Sequence, residues 1–153
     1  MTAIRTGESL GVASRHGTGS ERMHDLDDER AIRRLMARYC HTVDDGAWAE
    51  VAVLWADDAE LALRGETAIG PAAIVKLIAS RQTPELRGLH VIANAIIEVE
   101  GDSARAVSDF FFMRREGGPD PLVKFIGRYL DRFVRATDGW RFRRREIQFR
   151  GSS

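Results

Sequence analysis

The stretch "GLHVIANAIIEVEGDSARAVSDFFFMRR", residues 88–115, sets two apolar runs either side of Glu100-Gly101-Asp102. β-Branched and aromatic residues dominate both runs and the central tripeptide is turn-forming, so the stretch predicts an antiparallel hairpin of two long strands. The arrangement repeats downstream. "LVKFIGRYLDRFVRA" (122–136) and "WRFRRREIQF" (140–149) flank Thr137-Asp138-Gly139, and Gly117-Gly118-Pro119-Asp120-Pro121 is the loop between the hairpins. The C-terminal half therefore reads as four long strands in hairpin order.

Upstream the period changes. From Asp25, the residues Leu26, Ile32, Leu35, Met36, Tyr39 and Val43 recur at helical spacing, with Arg30, Arg33, Arg34 and Arg38 on the other face. Asp25 or Asp27 can cap this helix, and Asp44-Asp45-Gly46 ends it because glycine adopts the left-handed closing conformation at little cost. "AWAEVAVLWA" (47–56) follows as a second helix carrying Trp48, Val51, Ala52 and Trp55. "AELALRGETAIG" (59–70) predicts a short hairpin around Arg64-Gly65-Glu66, and "PAAIVKLIASR" (71–81) a third helix opened by Pro71. Three helices followed by hairpin-ordered strands give an α+β class, with helices gathered on one face of a strongly curved antiparallel sheet. Residues 1–24, rich in Gly, Ser and Thr and without periodicity, are expected to form a flexible arm. Residues 25–150 form the single domain.

Composition narrows the function classes. Basic and acidic residues both number 23, so the net charge is zero and nothing in it calls for nucleic acid or an anionic membrane. The last two strands are basic, but their aromatics do not form the signature of an RNA-binding module, so a solvated face or a subunit contact is the plainer reading. One cysteine, Cys40, precludes an internal disulfide, and no apolar run approaches the roughly 18 residues of a membrane span. A cytoplasmic protein is expected. The histidines and acids show neither HxxxH nor CxxC spacing, so no metal and no cofactor is expected.

Three stretches together carry a family resemblance: "AIRRLMARYCHTVDDGAWAEVAVLWADDAEL" (31–61), "GLHVIANAIIEVEGDSARAVSDFF" (88–111) and "GRYLDRFVRATDGWRFRRREI" (127–147). Their order and spacing resemble the SnoaL-like branch of the nuclear transport factor two-like superfamily. The resemblance implies a cone-shaped half-barrel, a curved sheet wrapped by about three helices around a deep, mostly apolar pocket. Members include scytalone and bile acid dehydratases, ketosteroid isomerases, polyketide cyclases and small subunits of ring-hydroxylating dioxygenases, so fold alone does not settle function. In the dehydratase-like members a Tyr and an Asp near the end of the first helix meet a His on the first long strand, with an Arg on the last. Matched residue by residue, these are Tyr39, Asp44, His90 and Arg145, with Arg143 and Arg144 as alternatives to Arg145 if a strand bulge intervenes.

The chemistry of that set is coherent on its own. A carboxylate at Nδ1 of His90 fixes the tautomer and stabilises the imidazolium formed when Nε2 takes a proton, which makes a general base. Trp55, Asn94, Asp109, Phe111 and Tyr129 are expected as substrate-binding wall residues. Each also has a structural alternative: Asp109 as an ion-pair member, Asn94 as a backbone-bonding amide, Tyr129, Trp55 and Phe111 as packing. The expected function is a cofactor-independent dehydratase or isomerase acting on a hydrophobic cyclic oxygenated compound such as a steroid or polyketide, in a homodimer or homotrimer. The alternatives are a non-catalytic β subunit bound to an oxygenase α subunit, or a small-ligand-binding protein. The enzyme reading requires Asp44 and His90 to lie within hydrogen-bond reach.

Overall fold

A computed structural model of the chain describes residues 18–151. The first helix, α1 (Gly19–Asp45), starts before Asp25. Residues 18–24 of the expected arm are thus at or within this helix, while residues 1–17 lie outside the described residues. Met23 and Leu26 are 66% and 57% exposed, so the leading turns bury little and leave no apolar stripe for a periodicity reading to detect. The buried stripe begins at Ile32 and continues through Leu35, Met36, Tyr39, Cys40 and Val43. Asp28 fastens the helix to the sheet: its carboxylate accepts two bonds from Arg135, at 2.7 and 2.6 Å, and one from the Trp140 indole at 3.0 Å.

Gly46, at φ 67°, turns the chain out of α1, and its N–H and that of Ala47 close on the carbonyls of Val43 and Thr42 at 3.1 and 2.8 Å. The next helix, α2 (Trp48–Ala52), is shorter than the sequence suggests. Leu54 O is taken by the N–H of Phe142 on the last strand, at 2.9 Å, so the backbone is captured by the sheet before another helical turn forms. Trp55 consequently opens a strand, β1 (Trp55–Leu63), instead of lying on a helix. Then come β2 (Glu66–Ile69), α3 (Pro71–Arg81), β3 (Leu89–Glu100), β4 (Ser103–Arg115), β5 (Pro121–Ala136) and β6 (Gly139–Arg150).

The six strands form one curved, unclosed sheet in the order β2-β1-β6-β5-β4-β3. β3 to β6 pair as antiparallel neighbours, but β1 runs parallel to β6. That pair departs from the all-antiparallel expectation because most of the domain lies between the two strands, and no tight turn dictates their direction. Among the described residues no helix is long and apolar enough to cross a membrane.

Two bulges decide which side chains face the helices. On β3 the register shifts between Ala93 and Ile96, with Asn94 at φ 51°, and on β6 Arg144 and Phe142 pair with the adjacent Arg132 and Phe133, leaving Arg143 as the extra residue. Inward alternation on β3 therefore passes from His90 and Ile92 to Ala95, Ile97 and Val99, and on β6 from Trp140 and Phe142 to Arg145, Ile147 and Phe149. The outer face keeps an apolar cross-strand row of Val91, Phe111 and Ile126, each about 40% exposed.

Gly127 on β5 leaves the space into which Phe110 packs: a Cβ there would meet Gln148 O at 2.3 Å and the Phe110 ring at 2.5 Å. Gly127→Ala is expected to destabilise the fold by about 1–3 kcal/mol through overpacking. A chemical-denaturation curve checks this, and an unchanged midpoint would contradict the packing described.

Candidate active site

The end of α1 and the start of β3 meet at one contact. Asp44 Oδ1 lies 2.5 Å from His90 Nδ1, and Asp44 Oδ2 accepts the backbone N–H of His90 at 2.9 Å. Their side chains are only 6% and 11% exposed, so both bonds form away from bulk water, where a carboxylate without donors would be costly. A carboxylate facing Nδ1 places the imidazole proton on that nitrogen and leaves Nε2 with its lone pair free. The ring rests against Phe112, with centroids 4.6 Å apart. Gly46 ends the helix directly after Asp45, with the Asp44 side chain still buried.

His90 forms part of the wall of a cavity of about 390 Å³ between the helices and the inner sheet face. This lies at the lower end of the roughly 300–1,000 Å³ usual for small-molecule sites. Tyr39, Tyr129, Phe110, Phe112, Phe125 and Phe149 supply most of the ring surface, and Val43, Leu63, Ile78 and Ile147 the aliphatic part. Phe110 stacks on Tyr129 at 4.3 Å. A wider depression on the outer face is open and lined by charged side chains such as Asp58, Glu60, Arg143 and Arg144, which pair with one another.

Against Tyr39 and Tyr129 lies a wholly buried ion pair. Arg145 donates to both oxygens of Asp131 at 2.7 Å, and both side chains are 0% exposed. The guanidinium carbon stands 3.9 Å from the Tyr129 ring centre, 4.3 Å from Tyr39 and 4.6 Å from Phe142. Burial opposes its charge, but the Asp131 carboxylate outweighs that penalty and holds the Arg145 pKa above the ordinary arginine value. Arg145 does not line the cavity; it fixes the two phenols that do. Burial also pushes the Tyr39 phenol and the Cys40 thiol up to about 12. Tyr39 is thus a hydrogen-bond donor at any ordinary pH, and Cys40 is an inert packing residue.

A family model described as a SnoaL-like domain matches residues 24–146. The chain belongs to the SnoaL-like domain family. No curated protein matches it in sequence. Among solved structures, an NTF2-like protein with a cystatin-like fold from Novosphingobium aromaticivorans is 32% identical, with a TM-score of 0.80 over 90% of this chain and 94% of that one. A proposed scytalone dehydratase from the same organism is 26% identical, with a TM-score of 0.73 over 84% and 87%. Hexachlorocyclohexane dehydrochlorinase LinA-type3 from Novosphingobium barchaimii, 22% identical, has the same fold, with a TM-score of 0.72 over 84% and 90%.

In this SnoaL-like domain the sequence-derived residues divide into two groups. Tyr39, His90 and Tyr129 line the cavity, Asp44 holds His90, and Arg145 stands behind the phenols. Trp55, Asn94, Asp109 and Phe111 do not line it. Trp55 is 3% exposed and packs in the core against Tyr39 and Phe142. Asn94 is turned outward by its own bulge and donates to Asp109 at 3.1 Å, while Asp109 also accepts from Arg128 at 2.9 Å on the outer face. Phe111 is outward because Ala104, Ala106, Ser108, Phe110 and Phe112 take the inward positions of β4. Phe110, Phe112, Phe125, Phe149 and Arg64 are among the wall residues the sequence reading passed over. The signal for the β4 pair was the charged Asp109, which assigns the odd-numbered positions of that strand to solvent.

The chain's only two tyrosines, Tyr39 and Tyr129, are both buried, and burial raises Tyr129 well above tyrosine's ordinary 10.0 as well. In an ultraviolet titration the folded SnoaL-like domain should show no phenolate absorbance near pH 10 and develop it only well above that, Tyr39 at about 12, or on unfolding. The unfolded chain releases these protons first, so the phenols' contribution to stability is complete below pH 10 and falls as pH rises towards 12. Phenolate appearing near pH 10 in a still-folded sample would contradict the buried placement.

Proposed function

We propose that this protein is a cofactor-independent lyase or isomerase that removes a proton next to a carbonyl in a hydrophobic, cyclic, oxygenated substrate. The observation that carries this reading is the buried contact between Asp44 and His90 Nδ1 at the wall of an aromatic cavity that also holds Tyr39. His90 Nε2 takes the proton from the carbon α to the carbonyl, and the C–H electrons pass into the enolate. Tyr39 donates its hydrogen bond to the enolate oxygen, and the Asp44 carboxylate at Nδ1 stabilises the imidazolium. As the enolate collapses, a β-hydroxyl departs with the proton His90 has gained: one carbon–carbon double bond and one water are formed. Without a leaving group, the same proton returned to a further carbon of the dienolate shifts a double bond instead.

The neighbours support an elimination. One is a proposed scytalone dehydratase and another a dehydrochlorinase, names that denote loss of water and loss of hydrogen chloride. Both losses require a base and a departing group on adjacent carbons.

The test is turnover of cyclic β-hydroxy ketones and unsaturated ketosteroids followed by ultraviolet absorbance. His90→Ala is expected to lower kcat by roughly 10²–10⁴. Asp44→Asn should fall by a similar factor, because the amide no longer holds the proton on Nδ1. Turnover unaffected by His90→Ala would remove His90 as the base.

A further inference from the structure

The turn between β1 and β2 places Arg64 at φ 50° and Gly65 at φ 81°, both left-handed, as a two-residue hairpin turn demands. The first of these positions favours Asn, Asp or Gly, and an arginine occupies it under strain. Its side chain is directed at the cavity. The guanidinium carbon lies 4.0 Å from the ring centre of Phe149 and 5.1 Å from that of Phe125, both of which line the wall, as does Arg64 itself.

Charge at this site is one-sided. Arg64, Arg81 and His90 line the cavity, and among the described residues no carboxylate does. Arg81 is paired with Glu66 and His90 with Asp44, whereas Arg64 has no carboxylate partner among the described residues. A guanidinium laid on aromatic faces is weakly hydrated there and keeps its N–H fork for a planar anion. Arg64 is separated from the base by two aromatic rings of the wall. From His90 the wall runs to Phe112 at 4.6 Å, on to Phe125 at 5.9 Å, and ends under Arg64, where Phe125 is 40% exposed.

We propose that the substrate of this cavity is an acid: a hydrophobic cyclic body along Phe112 and Phe125, with a carboxylate remote from the reacting carbon and held by Arg64 at the open end. The inference rests on the elimination reading for its reacting end, which makes the substrate class cyclic β-hydroxy ketones bearing a distant carboxylate. The carboxylate takes no part in bond making; it fixes which carbon meets His90.

Binding is measured by titration calorimetry with two shape-matched probes, 2-naphthoate and 2-naphthamide, on the wild type and on Arg64→Asn. Asparagine suits the left-handed turn, so the variant is expected to melt at or above the wild-type temperature. The wild type should bind naphthoate at least about tenfold more tightly than the amide, as one charge-assisted hydrogen bond would give. Arg64→Asn should abolish that preference and leave naphthamide affinity unchanged. Equal binding of the two probes by the wild type, no binding of naphthoate, or a preference that survives in Arg64→Asn would each overturn the proposal. Equilibrium binding is read separately from turnover. Absence of the preference in the wild type with His90-dependent turnover intact refutes the anion site alone, and an Arg64-dependent preference without His90-dependent turnover refutes the elimination alone.

Discussion

A guanidinium without water is the constraint around which the cavity is arranged. Arg145 can stay charged at 0% exposure only because Asp131 meets it with two parallel bonds and three aromatic rings stand close to its guanidinium. Removing either partner would leave a buried charge uncompensated, a loss of about 3–5 kcal/mol that exceeds what most single packing contacts supply. That demand places Asp131 and Arg145 opposite each other on β5 and β6. It also brings α1 close enough for Tyr39 to lie against the guanidinium, so a phenol of the cavity wall is held by the pair behind it.

The Asp44–His90 contact resolves an apparent misplacement. An acidic side chain at the C-terminal end of a helix adds to a partial negative charge already there, which disfavours it by a few tenths of a kcal/mol or more. Beside a histidine that becomes cationic in the proposed mechanism, that same field is favourable. Tyr39 works in the opposite sense: burial keeps it protonated, so it can donate to an oxygen that acquires charge. Opposite electrostatic settings are thus held within the last two turns of one helix, one on the side chain that orients the base and one on the donor.

Much of this was legible in the sequence, and the failures share a cause. The pairing of Asp44 with His90 came from the family resemblance, which could be matched because its two motifs, a helix-ending Asp44-Asp45-Gly46 and a histidine at the head of a long strand, are both local. Facing was harder to read. Residues 92–97, Ile-Ala-Asn-Ala-Ile-Ile, are apolar on both parities, so the bulge at Asn94 leaves no trace in the alternation, and counting by twos from His90 puts Asn94 on the wrong side. Phe110, Phe111 and Phe112 pose the same problem, as do Arg143, Arg144 and Arg145, where a bulge rather than composition selects the inward residue. Trp55 was misplaced because an apolar run suits helix and strand equally, and only the bond from Phe142 to Leu54 decides between them.

The central claim is that Asp44 sets His90 as a base with its free lone pair on Nε2. Nitrogen-15 and proton magnetic resonance of the imidazole reads that directly in the resting protein. The account predicts a His90 proton on Nδ1, hydrogen-bonded to Asp44 and far downfield, and loss of that signal in Asp44→Asn. A His90 that carries its proton on Nε2 in the wild-type protein would contradict it.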